Sequence, residues 1–561
     1  MKKTIPDGAK RAEKRLIAEA LGDVCVEDMR PFSFVEGSGF EKAAQAFINV
    51  GAKHGKVEAR DVLPGRNTIA SIVSERAELA RKRLRDELRT QPFLAASTDI
   101  WTEEKTSTPF STVNVSYIRE DWTLCSRVVG TKAMPESHTG VNIFRTTRQA
   151  LEAVDCWKED GEHIRYVTDN ASNNKVAFQN RGRGWQSCFC HNLNLVMIQV
   201  MGSTPAVAEL IDQGKRLVRF AKKTSVNSLL KSADPNGRGL KASVPTRWNS
   251  EWTMLESLRH SWPALQSLPG VADRDEVVRL LEPIDKRELD AVVDVLSFFN
   301  SASERLSASH QPTGFLVPLV LENAKRHLEP APTDTQLGRQ LKESLLQHVT
   351  GPKYGGKVGL EQYLALALHP RYRRLQQVNI DDTMRGEVER AMKQEVELAF
   401  LRRMAERPSE VASERRSTAS ATLPGPSSAP STSTATPDFS LDLESMADDE
   451  EDDPEVVVDS GNARELAKAA AERECATYFL DKSGKDVKSG AELLKYWKNK
   501  ASSLPCLSEV ARKLHGVPAS SAKAERTFSQ AGRVIENRRA RLHPRKVDDL
   551  LLATDNADLL K

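Results

Sequence analysis

Several things are scarce in this 561-residue chain, and each scarcity closes off a class of protein. Cysteine is one: the seven residues at 25, 125, 156, 188, 190, 475 and 506 are odd in number and scattered, which does not describe a disulfide framework and points to a reducing compartment. Long apolar runs are another. No stretch reaches the length of a membrane span, and the opening MKKTIPDGAKRAEKR lacks the apolar core of a signal peptide, so the expectation is a soluble, intracellular chain with no membrane partner. Charge of one sign is also missing. Lys and Arg total 81 against 78 Asp and Glu, leaving +3, so any nucleic-acid surface must be a local patch. No CxxC with a downstream His pair occurs in the first 90 residues, where Cys25 and His54 stand alone, so no zinc finger is predicted.

What is present is organised around Phe93 to Thr102, FLAASTDIWT, an apolar run that ends on a carboxylate. Phe93 to Ala96 read as a strand buried on both faces, and Asp99 comes only as the run closes. A carboxylate there is costly unless it is solvated, paired or metal-bound. Pro109 to Ile118 alternates like a half-buried strand, and Trp122 to Gly130 reads as its partner across Glu120 and Asp121. Gly140 to Val154 is helical by spacing, and His163 to Asp169 is a further strand ending on an acid. A short helix then leads to Trp185–Cys190, which reads as the last strand. The order β-β-β-α-β-α-β is that of an RNase H-like fold, a mixed five-stranded sheet in which Asp99 and Asp169 would stand at neighbouring strand ends. Paired carboxylates of that kind hold divalent ions that activate water or a hydroxyl at a phosphodiester.

TDIWT at 98–102, VTDNASN at 167–173, CFCHNLNL at 188–195, PTRWNS at 245–250 and SSAKAERTFSQAG at 520–532, in this order, resemble the hAT superfamily of DNA transposases over most of the chain. The resemblance implies an α/β RNase H-like core interrupted by a large all-α insertion. Its catalytic and metal-holding residues would be Asp99, Asp169 and Glu525, with Mg²⁺ or Mn²⁺. The implied chemistry is hydrolysis of one DNA strand, attack of the freed 3′ hydroxyl on the other to form a hairpin, and joining of element ends to target duplex DNA. It also implies a nuclear location and a homo-oligomer held through the carboxy-terminal region. Many members begin with a BED-type zinc finger, which is not found here. The alternative reading is a hAT-derived dimerising, DNA-binding regulator that keeps the fold without the chemistry.

Residues 1–90 read as a helical region, with RPFSFVEGSGF and LPGRNTI resembling the family's DNA-binding and dimer-packing segment, although periodicity alone equally describes a plain helical bundle. Residues 91–262 hold the first part of the core, 263–406 the helical insertion, 407–461 a Ser/Thr/Pro-rich and then acidic linker, and 462–561 the end of the insertion, the last core helices and the dimerisation region. Cys188, Cys190 and His191 supply too few ligands within reach for zinc. By resemblance His191 contacts the scissile phosphate or orients a carboxylate. Arg247 can grip a phosphate and Trp248 can offer a face to a flipped base, or else serve as a core aromatic. Arg538, Arg539 and Arg541 form a basic patch suited to phosphates. Val547, Leu550 and Leu551 make an apolar strip that needs either the core or a second subunit; the resemblance assigns it to dimerisation. GPKYGGKV at 351–358 approaches a phosphate-binding loop, but Val358 replaces the metal-binding hydroxyl, so no nucleotide site is read there.

Overall fold

A computed structural model describes residues 7–103, 107–158, 161–182, 184–244, 247–267, 274–351, 358–418, 460–534 and 542–560. The chain divides into two compact units, Met1–Ile72 and Val73–Lys561. The first holds α1 (Asp7–Glu27), α2 (Ser38–His54), α3 (Ala59–Val62) and the start of α4 (Arg66–Leu88). Helix α2 ends at Gly55, whose φ of 78° is the left-handed geometry that glycine takes without strain. Neither α2 nor α3 buries a residue, and Phe32 is 87% exposed, so among its described residues this unit shows no core of the kind a self-sufficient bundle needs.

The second unit is built on one sheet. Its strands are β1 (Leu94–Thr102), β2 (Pro109–Ile118), β3 (Leu124–Ala133), β4 (Ile164–Thr168) and β5 (Trp185–Ser187), in the order β3-β2-β1-β4-β5. Strands β1, β2 and β3 pair antiparallel, whereas β4 lies parallel to β1 and β5 parallel to β4. The sheet is therefore mixed, and the sequence order of elements is the one expected. Helix α5 (Gly140–Glu152) starts at Thr139, whose side chain accepts from the Asn142 N–H, and α6 (Ser172–Phe178) lies against it. Gly140 lets the two helices meet closely, since a Cβ there would stand 2.8 Å from Val176 Cγ1. Together with α4 they cover one face, where Leu84, Leu94, Ala96, Val113, Ile143, Tyr166 and Phe178 form a core. The Tyr166 and Phe178 rings stack 4.5 Å apart, an arrangement that adds about 0.5–1.5 kcal/mol to their burial.

One boundary is corrected here. Strand β5 stops at Ser187, and Cys188 is the residue that caps α7 (Phe189–Ser203), its sulfur accepting from the His191 N–H at 3.4 Å. The strand expected to run on to Cys190 therefore ends three residues earlier, because a cap and the first turn of a helix take its place.

A large helical body follows: α8 (Pro205–Lys223), α9 (Val226–Ala233), α10 (Trp248–Ser267), α11 (Arg274–Leu281), α12 (Lys286–Leu306), α13 (Leu316–His327), α14 (Gln336–Thr350), α15 (Leu360–Ala367) and α16 (Asp382–Thr418). Leu289, Val292, Leu296 and Phe299 recur at helical spacing on α12 and join Leu341 and Leu345 in the main core. Asp285 caps α12 by accepting from the Arg287 and Glu288 N–H groups. Helix α16 runs to Thr418, a dozen residues beyond where the linker was expected to begin; residues 419–459 and 352–357 lie outside the described residues. Then come α17 (Ser460–Leu480), α18 (Gly490–Lys500) and α19 (Pro505–His515). The buried Glu474 carboxylate accepts from the Cys506 and Leu507 N–H groups, satisfying donors at the start of α19 where the helix dipole favours negative charge. His369 and His515 are buried against Phe315, and burial first of all pushes both pKa values down, to about 3 and about 4. Among the described helices no single one is long and apolar enough to cross a membrane.

The chain returns to the sheet through α20 (Ala522–Val534), which packs on β1 and β2, and α21 (Pro544–Asp555), which packs on β3. Asp548 is almost fully buried and accepts from the Thr131 N–H at 2.7 Å, Lys132 Nζ at 2.9 Å and Arg81 Nη2 at 3.1 Å. Asp549 takes the same guanidinium at 2.9 Å and the Ser74 hydroxyl at 2.6 Å. These paired acids tie α4, α21 and the outer strand together. Val547 and Leu551 are each 1% exposed and pack with Phe110 and Ala531, while Leu550 is half-buried. The strip assigned to dimerisation is thus mostly covered within one chain: α21 turns it onto the sheet, leaving Val547 and Leu551 unavailable to a second subunit.

Candidate active site

Asp99 sits near the end of β1, opposite Thr112 of β2, and Asp169 is the residue that follows β4. Because β1 and β4 are parallel neighbours, with Ser97 beside Val167, both acids emerge at the same end of the sheet. Glu525 lies in the first turn of α20. Its approach is set by the loop before it: Phe189 N–H donates to Ala519 O at 2.9 Å, Ala519 N–H to Thr313 Oγ1 at 2.9 Å, and Ser521 N–H to Cys188 Sγ at 3.3 Å. Cys188, fully buried, thereby joins the starts of α7 and α20, which is a packing role rather than a metal-binding one.

The electrostatics report the convergence. The Asp99 carboxyl is pushed up to about 7, first by burial and then by Asp169, with Glu525 adding to the repulsion; the Ile100 N–H, at 2.8 Å from Asp99 Oδ1, and the Arg247 guanidinium act in the opposite direction. Asp169 is held by its Oδ1, which accepts from the Ala171 N–H at 3.0 Å and from Asn174 Nδ2 at 2.5 Å. A polar layer runs beneath. Asn170 Nδ2 reaches Asn192 Oδ1 at 2.6 Å, Asn192 pairs with the Ser187 hydroxyl, and Trp185 Nε1 donates to Thr168 Oγ1 at 2.7 Å. Glu525 Oε2 accepts from Arg247 Nη2 at 2.6 Å.

The sequence-read residues thus divide. Asp99, Asp169, Glu525 and Arg247 come together, and half-buried His191 stands one helical turn after Cys188. Trp248 is corrected: at 1% exposed it is a core aromatic with no face to offer a base, because α10 begins at this residue and turns the ring inward. Arg538, Arg539 and Arg541 lie outside the described residues. Sequence reasoning missed Asn174, although its place five residues after Asp169, on the first turns of α6, was the available signal. It also missed the Arg247–Glu525 pair, 278 positions apart.

The carboxylates suit a divalent cation in kind, since their mutual repulsion is what such an ion would relieve. In arrangement they are not yet gathered: among the described residues no three His, Cys, Asp or Glu side chains are placed to hold a metal ion.

Comparison with known proteins adds family evidence. Residues 474–557 match the model of the hAT family C-terminal dimerisation region, and residues 5–68 that of the Hermes transposase DNA-binding domain. The chain is 25% identical over 342 residues to the transposable element Hobo transposase of Drosophila melanogaster, covering 60% of this chain and 50% of that protein. It is 23% identical over 560 residues to the putative AC transposase of Zea mays, covering 94% and 63%. Zinc finger BED domain-containing protein 4 of Homo sapiens is 21% identical over 383 residues, covering 64% and 30%. The chain therefore spans half to just under two thirds of the length of the two transposases.

Proposed function

We propose, on the premise that this chain belongs to the hAT superfamily of transposases, that it binds DNA as an oligomer and cleaves and rejoins it at Asp99, Asp169 and Glu525. The fold of the sheet and its flanking helices is then an RNase H-like core, a reading that the strand order supports. The observation that carries the chemistry is that acids from β1, the end of β4 and the start of α20 lie near enough to act on one another: the Asp99 carboxyl is raised to about 7, first by burial and then by Asp169, with Glu525 adding to it. These residues would hold Mg²⁺ or Mn²⁺, which when bound supplies Lewis-acid activation of the attacking oxygen and charge relief at the leaving one. Asn174 and the Ala171 N–H fix the Asp169 carboxylate, so that its second oxygen is presented at a defined angle. Arg247, 60% exposed, offers its remaining N–H groups to a DNA phosphate. The DNA is double-stranded, as element ends and target; the oligomer forms through the carboxy-terminal region, and the site of action is the nucleus.

The regulatory reading draws on one observation, that Glu525 is paired with Arg247 and the three acids are not gathered around a common point. The two readings separate in a plasmid assay. The transposase reading expects supercoiled DNA to be nicked in Mg²⁺ or Mn²⁺ and left intact in chelator. DNA that is bound but never nicked in either metal supports the regulator instead.

A further inference from the structure

We infer that Arg247 is the resident counter-ion of Glu525, and that it withholds this carboxylate from the metal site until a DNA phosphate claims the guanidinium. The site would then take up divalent metal tightly only when DNA is present. This rests on the reading of Asp99, Asp169 and Glu525 as the metal-holding acids.

Four features of the structure support the inference. The Glu525 side chain is bonded to Arg247 at 2.6 Å, so one of the three acids is already committed to a cation. Among the described residues no three metal-binding side chains are placed around a common point, which is the expected consequence of that commitment. Arg247 is 60% exposed against 28% for Glu525, so the guanidinium is the outer member of the pair and the one that an incoming strand meets first. Its backbone, finally, is tied in place while its side chain is held by the Glu525 contact and stands largely exposed. Ser250 N–H donates to Arg247 O at 3.0 Å, the Ser250 hydroxyl donates to the same oxygen at 2.7 Å, and the buried ring of Trp248 anchors the next residue in the core. Trp248 therefore acts from inside, holding Arg247 at the mouth of the site.

An exposed ion pair is weak, which suits an exchangeable contact. A phosphate offers the guanidinium a bidentate grip that a single Glu oxygen does not match here, and Glu525, once released, keeps only the through-space attraction of Arg526 and is open to a metal. The coupling is reciprocal, so metal must also tighten DNA binding by the same factor.

The test is Mn²⁺ binding to the full chain, read by electron paramagnetic resonance with and without a saturating 30-base-pair duplex, so that cleavage is not the readout. Wild-type protein should bind Mn²⁺ about tenfold more tightly with DNA than without. Arg247→Gln should bind it without DNA about as tightly as wild type does with DNA, and gain less than about twofold on adding the duplex. Arg247→Lys, which keeps the charge but not the fork, should fall between them. Thermal unfolding checks that the variants fold, and Asp169→Asn, which removes a metal-holding acid, should lose Mn²⁺ altogether. If Mn²⁺ binds and depends on Asp169, but Arg247→Gln binds no more tightly than wild type, the counter-ion role is overturned and the site stands. If no form takes up Mn²⁺, the site reading falls and the counter-ion falls with it.

Discussion

Asp99→Asn should make the metal-free protein more stable, and only above a definite pH. The substitution keeps the shape of the side chain and an oxygen to accept from the Ile100 N–H, while removing a charge that burial, Asp169 and Glu525 all oppose. The carboxyl is raised to about 7 from 3.8, about 3 units, and at about 1.4 kcal/mol per unit the ceiling is about 4 kcal/mol. Partial solvation of the strand end brings the expectation to about 2–4 kcal/mol. The sign follows from the proton count. Below about pH 4 both folded and unfolded chains keep the proton, and the variant gains nothing. As pH rises from 4 to 7 the unfolded chain releases its proton while the folded one holds it, so the wild type loses stability progressively. Above 7 the loss is complete. Urea unfolding in chelator at pH 4.5 and pH 8 reads this directly: the gap between variant and wild type should be small at the lower pH and full at the higher. A variant that is less stable than wild type at pH 8, or whose advantage does not change with pH, would refute the claim that the three acids repel one another in the folded state.

Three further outcomes follow from burial and pairing. Arg81→Met deprives the buried Asp548 and Asp549 of their shared guanidinium and should cost about 3–5 kcal/mol, seen as a lower urea midpoint. Trp248→Ala empties a core position and should cost a similar 3–5 kcal/mol, whereas Trp248→Phe should keep most of the stability; a Trp248→Ala protein as stable as wild type would restore the exposed stacking role. Leu551→Asp should unfold the carboxy-terminal helix, lowering the circular dichroism signal, rather than convert an intact oligomer into folded monomers as judged by sedimentation.

Much of the site was legible because it depends on local pattern. Alternation over Pro109 to Ile118 and apolar runs at Phe93 and Ile164 specify strands, and an acid just where each buried run ends marks Asp99 and Asp169. What local pattern cannot carry is which face a residue finally presents. Trp248 could offer a face to a base or fill a core, and the Val547 strip could meet the core or a second subunit; α10 and α21 turn both into cores made by segments far away in sequence. Cys188 failed differently, because three strand residues and a helix cap resemble six strand residues until the hydrogen bonds are placed. Helix α16 outran its expected end because Ala, Glu and Arg favour helix, and a lone Pro408 did not end it. The pairing of Arg247 with Glu525 spans the whole insertion and has no local trace at all.

The central claim is that Asp99, Asp169 and Glu525 act as one metal-dependent site, and strand cleavage by single variants tests it most directly. Asp99→Asn, Asp169→Asn and Glu525→Gln should each abolish nicking of supercoiled plasmid in Mg²⁺ and Mn²⁺ with the circular dichroism spectrum unchanged. Glu251→Gln, on the same helical body but paired with Lys215 instead, should cleave like wild type. Full cleavage by any one of the three acid variants would remove that residue from the site and contradict the account.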